Sequence, residues 1–435
     1  MSHAPFLARR KRLLQTIGSG VAIIPTAPEV VRNRDAHYPY RFDSYFWYLS
    51  GFPEPEAVIV LVGANGRTKA KSILFCRDKH EEREIWDGYR YGPKAAKSAF
   101  GFDAAYSIEQ LDKKLPELLV DRDTLWHAIG HDEAWDARIA RALNEVRAQA
   151  RAGKRAPRAV HDLRAELDAM RLTKDEAELA IMQRAADIAS AGHARAMHAC
   201  RPGMAEYELE AELSYEFRKR GADGHAYSPI VAGGANACVL HYVDNNKLLN
   251  DHTLVLIDAG CEVEGYAADI TRTFPVSGRF TPAQKDVYEI VLAAQAAAIN
   301  ATAPGRHFME AHDAAVRVLT QGLVDLKLLT GDIDTLIEKG DFRRFYMHRT
   351  GHWLGLDVHD AGEYKIGNDW TTLQPGMTVT VEPGLYIRPG ADIPAELAGI
   401  GIRIEDDVRV TADGCNVYTT APKTVAEIEE VMRHD

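Results

Sequence analysis

TLVLIDAGCEVEGYAADITRTF, residues 253–274, reads as a β-hairpin with an aspartate in each arm, and its register decides what the chain can do. Apolar LVLI leads into Asp258, and β-branched residues follow Asp269 in DITRTF. A turn centred on Val263–Glu264 would set Asp258 directly across from Asp269. Side chains so paired have Cβ atoms about 5 Å apart, so the carboxylates converge. Two bare like charges at that distance repel, and one is driven towards protonation. A cation between them removes the conflict.

Two more acids stand in similar surroundings. In TVTVEPG, residues 378–384, Thr378, Thr380 and Glu382 share one face while Val379 and Val381 take the other. In GIRIEDD, residues 401–407, Arg403 and Glu405 face away from Ile402 and Ile404. A carboxylate pointing inward from an apolar strand needs a partner. HRTGHWLGLDVHD, residues 348–360, adds three histidines. His348 and His352 are spaced as in the helical zinc-protease motif, but Arg349 stands where that motif needs its glutamate. Gly351 also weakens the required helix.

Asp258, Asp269, Glu382, Glu405 and one histidine therefore form an oxygen-rich donor set. The four carboxylates carry a charge that two divalent cations match, whereas one would leave two negative charges uncompensated in a poorly solvated site. Hard oxygen donors with a single imidazole suit manganese best, then cobalt, iron or zinc.

The 435 residues suggest two domains, with 46% apolar and 26% charged residues as in globular proteins. A net charge of −11 argues against nucleic-acid binding. Arg9-Arg10-Lys11-Arg12 reads as a solvated helix face. Five scattered cysteines, none in C-x-x-C spacing, suit reduced, buried thiols in the cytoplasm. No leader-like apolar segment follows the N-terminus, and the longest apolar runs, such as VIVLVGA at 58–64, are strand-sized, so no membrane partner is expected.

Residues 1–172 interleave short strands and helices, an α/β pattern, with RAGKRAPRAV at 151–160 as linker. Residues 173–435 read as α+β: two helices then strands, twice over, with caps at Thr173/Glu176 and Thr281-Pro282/Gln284. The run ACVLHYV reads as extended. His131-Asp132-Glu133 and His80-Glu81-Glu82 read as solvated surface, and Gly233-Gly234 as a turn.

Taken together, IDAG…ADITRTF…HWLGLDVHD…VEPGLYI…GIRIEDDV resembles the metal signature of the aminopeptidase P/prolidase family. RNRDAHYPYRFDSYFWYLSGFPEPEAV at 32–58 resembles its N-terminal domain, so the likeness spans essentially the whole chain. One departure is Arg349, where many relatives carry glycine.

The resemblance implies a pita-bread catalytic domain and Xaa-Pro aminopeptidase activity on peptides. Asp258 would chelate one metal, Asp269 and Glu405 would bridge, and His352 and Glu382 would hold the other. His241, His348 and His359 would contact substrate, His359 as donor to the oxyanion, and Glu382 would relay the proton. Arg403 reads as a charge buffer. Tyr227 is either a donor to a ligand carboxylate or packing. Trp86, in EIWDGY, is either core or an aromatic lid reaching a neighbouring subunit of a homodimer or homotetramer. Prolidase is the close alternative, and a metal-free creatinase-like hydrolase or binding scaffold the distant one.

Overall fold

Val58–Val62 is buried at every position, which in a strand requires cover on both faces. In the computed structural model, which describes residues 3–66 and 68–433, it lies inside a six-stranded sheet. The order is Ala104–Ser107, Lys71–Cys76, Val58–Val62, Val21–Pro25, Thr124–His127, Ala159–Asp162. Val21, Ile23, Val58, Val60, Ile73 and Phe75 pack on helices Leu111–Leu119 and Glu133–Arg147. The alternate residues Ala22, Ile59, Leu61 and Leu74 are buried as well. The chain divides into two compact units, with Met170 ending the first and Arg171 opening the second.

Two sequence expectations fail in the first unit. The expected linker is partly a strand, because Ala159–Asp162 extends the sheet parallel to Thr124–His127. The basic cluster is not wholly solvated either. Arg10 is 1% exposed and donates to the carbonyls of Leu49 (2.8 Å), Phe100 (2.9 Å) and Gly101 (2.8 Å), with Phe102 beneath its guanidinium. Burial lowers its pKa to about 10, still well above neutrality. Arg9 donates to the carbonyl of Tyr48. These arginines satisfy carbonyls at the C-terminal ends of helices Ser44–Ser50 and Gly92–Phe100, which have no partner within the helix.

The second unit repeats one plan. Helices Glu176–Ala199 and Glu206–Lys219 precede the antiparallel strands Ile230–Gly233, Leu254–Asp258 and Thr271–Pro275. Helices Pro282–Ala301 and Glu310–Asp325 precede Thr378–Val381, Gly384–Ile387, Ile400–Arg403, Asp406–Val410 and Cys415–Val417. Both halves share one core, which includes Phe217, Ile257, Phe274, Val291, Leu319, Ile402 and Val408. The box at Thr281 and Gln284 forms as expected. At Thr173 it does not: Asp175 and Glu178 cap the helix, while Thr173 bridges to Met377. Asp175 wins because a carboxylate caps at least as well as a hydroxyl and lies immediately before the helix.

The central hairpin has a different register from the one expected. Asp258 pairs with Thr271, and Val263 with Tyr266. The turn is Glu264-Gly265, with φ of 52° and 86°. Such a primed turn matches strand twist and places its glycine second. Asp269 thus lies diagonally across from Asp258, on the same face, and sits opposite Gly260. A Cβ on Gly260 would lie 1.6 Å from the carbonyl oxygen of Ala268, so the backbone here tolerates only glycine.

Among the described residues no helix is long and apolar enough to cross a membrane. All five cysteines are free, four of them buried. Replacing Arg10 with Met keeps an apolar stem but strands three carbonyls. We expect the urea midpoint of the first unit, followed by tryptophan fluorescence, to fall by the equivalent of about 2–4 kcal/mol.

Candidate metal centre

The segment around His352 is extended rather than helical. Thr380 N donates to His352 O (3.0 Å), His352 N to the Thr380 hydroxyl (3.1 Å), and Glu382 N to Thr350 O (2.8 Å). A Cβ on Gly351 would lie 2.0 Å from Thr380 O, so glycine permits this close pairing. His352 and Glu382 are thereby held side by side, with Nε2 3.8 Å from Oε1. The hairpin supplies Asp258 and Asp269, and Glu405 comes after strand Ile400–Arg403, its amide donating to Thr271 O.

One donor atom each from Asp269, His352 and Glu405 lies within 4.8 Å of the others. His352 Nε2 is 3.3 Å from Asp269 Oδ2. Its Nδ1 donates to Trp353 O at 2.9 Å, which leaves Nε2 free to ligate in the neutral ring. Asp258 joins the group through Tyr227, whose hydroxyl contacts Asp258 Oδ1 (2.7 Å) and Asp269 Oδ1 (2.5 Å). Arg403 donates to Asp258 Oδ2 (2.5 Å), to the Thr271 hydroxyl (3.1 Å) and to Tyr386 Oη (3.0 Å). Of the two readings of Tyr227, the geometry selects the donor.

Burial, reinforced by neighbouring acids, raises the pKa of Glu405 well above its usual value. Burial also raises Asp258, against Arg403, and lifts Glu382 to about 7, against His352 and Arg403. For Asp269, burial is outweighed by His352 and Tyr227, and the pKa falls. For His352, burial is outweighed by Asp269, and the pKa rises to about 9. Buried acids whose pKa values are pushed upward are what a donor set looks like when only its own protons and one imidazole stand in for a cation. The residues fit a divalent metal.

The remaining named residues have distinct places. His241, His348 and His359 line the same cavity of about 570 Å³ as the five donors, Tyr227 and Arg403. His348 Nδ1 donates to Arg349 O (2.7 Å) and its Nε2 accepts from Tyr386 Oη (2.8 Å), so both ring nitrogens are occupied. Burial lowers its pKa to about 3, so the ring is neutral. The His359 ring stands edge-on to His352 at 4.4 Å; desolvation, then His352, lowers its pKa. His241 is exposed at the rim. It sits in a turn after the 3-10 helix Gly234–Cys238, not in the expected extended run, because Gly234 has a φ of 56° and breaks the strand. Trp86 is in the first unit, on helix Glu81–Asp87, and at 79% exposure it is not core.

Three supporting groups escaped the sequence reading. Asp407, buried and raised in pKa by its burial, accepts from Asp269 N (3.1 and 3.3 Å). Thr271 donates to Glu405 Oε2 at 2.6 Å. Asp360 accepts from Arg171 (2.5 Å) and Lys174 (2.9 Å), pinning the residue after His359. The signal for Asp407 was present in EDD, three acids entering an otherwise apolar strand.

The family model for metallopeptidase family M24 matches residues 180–412, and that for the aminopeptidase P N-terminal domain matches residues 6–126. The chain is 45% identical to the Xaa-Pro aminopeptidase of Escherichia coli (strain K12), covering 99% of this chain and 98% of that protein. The structure of the Pseudomonas aeruginosa aminopeptidase PepP is similar at a TM-score of 0.97 and 50% identity, covering 99% and 98% of the two chains. Zinc-substituted E. coli aminopeptidase P in complex with product is similar at 0.96 and 44%, with the same coverage. The two-unit architecture is that of these enzymes, with a pita-bread second unit.

The protonation states set a pH response. In cation-free protein, Glu382 (about 7, unfolded about 4.5) and His352 (about 9, unfolded about 6.5) hold protons that the unfolded chain releases earlier. Stability of the chelated protein should therefore fall as pH rises from about 4.5 to about 9, through Glu382 first and then His352. Saturating manganese should flatten that slope in thermal melts. Tyr227→Phe removes the donor shared by two carboxylates, and metal affinity by calorimetry should drop about 10- to 100-fold.

Proposed function

The chain belongs to metallopeptidase family M24, and on that premise we propose how its centre works as an Xaa-Pro aminopeptidase. It is a hydrolase that releases the first residue of a peptide whose second residue is proline. The bond cut is a tertiary amide without an N–H, so the enzyme cannot recognise the proline as strand-binding peptidases recognise other residues. Recognition has to come from the cavity wall and from the substrate's free amino group.

In our reading Asp258, Asp269, His352, Glu382 and Glu405 would hold two divalent cations, manganese by preference, with Asp269 and Glu405 contributing to both. Arg403 supplies one positive charge that the carboxylate count alone had assigned to metal, which leaves room for one anionic ligand. Bound there, the cations supply Lewis acidity and lower the pKa of water towards neutrality.

The chain's own groups do the rest. Glu382 takes the proton from water and passes it to the departing proline nitrogen. His359, neutral and exposed at the cavity, donates to the developing oxyanion. His348 and His241 flank the proline ring, His348 through the ring face left by its two occupied nitrogens. The substrate's free amino group lies beside Asp258, which fixes the count from the N-terminus. Tyr227, its own pKa pushed far up by burial and the neighbouring acids, remains a proton donor that links Asp258 and Asp269. Trp86 is exposed enough to serve as a lid presented to a second copy, in a homodimer or homotetramer of a cytoplasmic enzyme.

The observation that carries this reading is that donor atoms of Asp269, His352 and Glu405 lie within 4.8 Å of one another, with Asp258 and Glu382 lining the same cavity. Prolidase is not favoured, since the relatives matched over full length are Xaa-Pro aminopeptidases. A metal-free relative is not favoured either, because all five donors are present and converge.

Hydrolysis of an Xaa-Pro-Xaa tripeptide should vanish on chelation and return with manganese. Cleavage confined to Xaa-Pro dipeptides would make the enzyme a prolidase instead. Glu382→Gln should lower kcat by about 100- to 10,000-fold in stopped assays.

A further inference from the structure

The rim of this cavity carries a cation that the chemistry above does not use. Arg349, directly after His348, lines the cavity with His348, His352 and Glu382. Its guanidinium lies 5.3 Å from the ring centroid of Trp370 and 5.9 Å from that of Tyr364. Tyr364 is itself fixed: its hydroxyl accepts from Trp353 N at 3.1 Å, and its ring stacks on Trp353. The backbone beside Arg349 is fixed too, since Thr350 O accepts from Glu382 N and the Thr350 hydroxyl bonds to His312 (2.9 Å) and Tyr346 (2.6 Å). Aromatic faces thus orient the guanidinium without neutralising it.

Among the described residues no carboxylate or carbonyl accepts from the Arg349 side chain. Arg403, the other arginine of the cavity, is fully engaged with Asp258, Thr271 and Tyr386. A guanidinium is a planar fork that matches a carboxylate, and Arg349 has no protein carboxylate to match. The cavity therefore carries, beside its donor set, one positive charge that no protein acid neutralises. A short peptide lying in it ends in a carboxylate.

We propose that Arg349 binds a carboxylate of the substrate on the C-terminal side of the proline. The carboxylate is either the chain terminus of a short peptide or an acidic side chain just after the proline. This rests on the Xaa-Pro reading above, in which His348 borders the proline ring, so that its chain neighbour meets the substrate residue after the proline. Arg349 is then a specificity residue that favours short or acidic peptides without taking part in bond cleavage.

The test uses full-length, manganese-loaded enzyme and four peptides: Ala-Pro-Ala as free acid and as amide, and Ala-Pro-Asp-amide against Ala-Pro-Asn-amide. The first pair isolates the chain terminus and the second the acidic side chain. In at least one pair the charged peptide should be favoured by about two- to fivefold in kcat/KM, mainly through KM, the range of a solvent-exposed charge pair. Arg349→Gln should bring that ratio to about one, and Arg349→Lys should restore part of it. Because each ratio is internal to one enzyme preparation, a loss of folded protein does not imitate the result. Ratios of one in both pairs, or a ratio that survives Arg349→Gln, would overturn the proposal. Failure to cut any of the four peptides would instead strike the Xaa-Pro activity on which it rests.

Discussion

Mutual repulsion among buried carboxylates is the constraint from which the rest of the second unit can be understood. Asp258, Asp269, Glu382 and Glu405 are gathered where water screens poorly, and the protein alone does not compensate them. Its own contribution is partial relief: the Arg403 guanidinium on Asp258, the Tyr227 hydroxyl between Asp258 and Asp269, the Thr271 hydroxyl on Glu405. These contacts orient the oxygens without neutralising them. A set of donors aimed at one point, short of positive charge, is selective for a small, highly charged cation.

Such crowding survives only on a stiff frame, and the frame explains several residues that take no part in chemistry. Gly260 and Gly351 let backbones approach where any Cβ would collide with a carbonyl oxygen. Asp407 anchors the amide of Asp269 from behind, and Asp360, tied to Arg171 and Lys174, anchors the loop that carries His359. The donors are thus fixed from the side away from the cavity, which is where rigidity helps a site most.

How much of this was legible in the sequence depended on the scale of the signal. The two-residue period turned Glu382 and Glu405 towards the cavity, although neither lies within a strand as expected: Glu382 follows Val381 and Glu405 stands between Arg403 and Asp406. The hairpin could be placed but not registered: with Val263-Glu264 taken as the turn, Asp258 and Asp269 came out opposite, whereas Glu264-Gly265 forms the turn and sets them diagonally. Their shared face survived because the true register differs from the expected one by an even number of positions. Arg10 was misread because nothing local distinguishes an arginine that satisfies distant carbonyls from one that faces water. The occupied nitrogens of His348 and the aromatic cradle of Arg349 depend on Tyr386, Tyr364 and Trp370, partners far enough along the chain that only the fold could reveal them.

The donors are also divided between the two repeated halves: Asp258 and Asp269 come from the first, His352, Glu382 and Glu405 from the second. An ion at their meeting point is therefore a removable cross-link between parts of one chain. Like any cross-link that closes a long loop, it restricts the unfolded chain more than the folded one. Metal supply would then govern not only turnover but also how long the two halves resist being pulled apart, and a cell short of the ion would hold an enzyme with a shorter lifetime as well as a silent one.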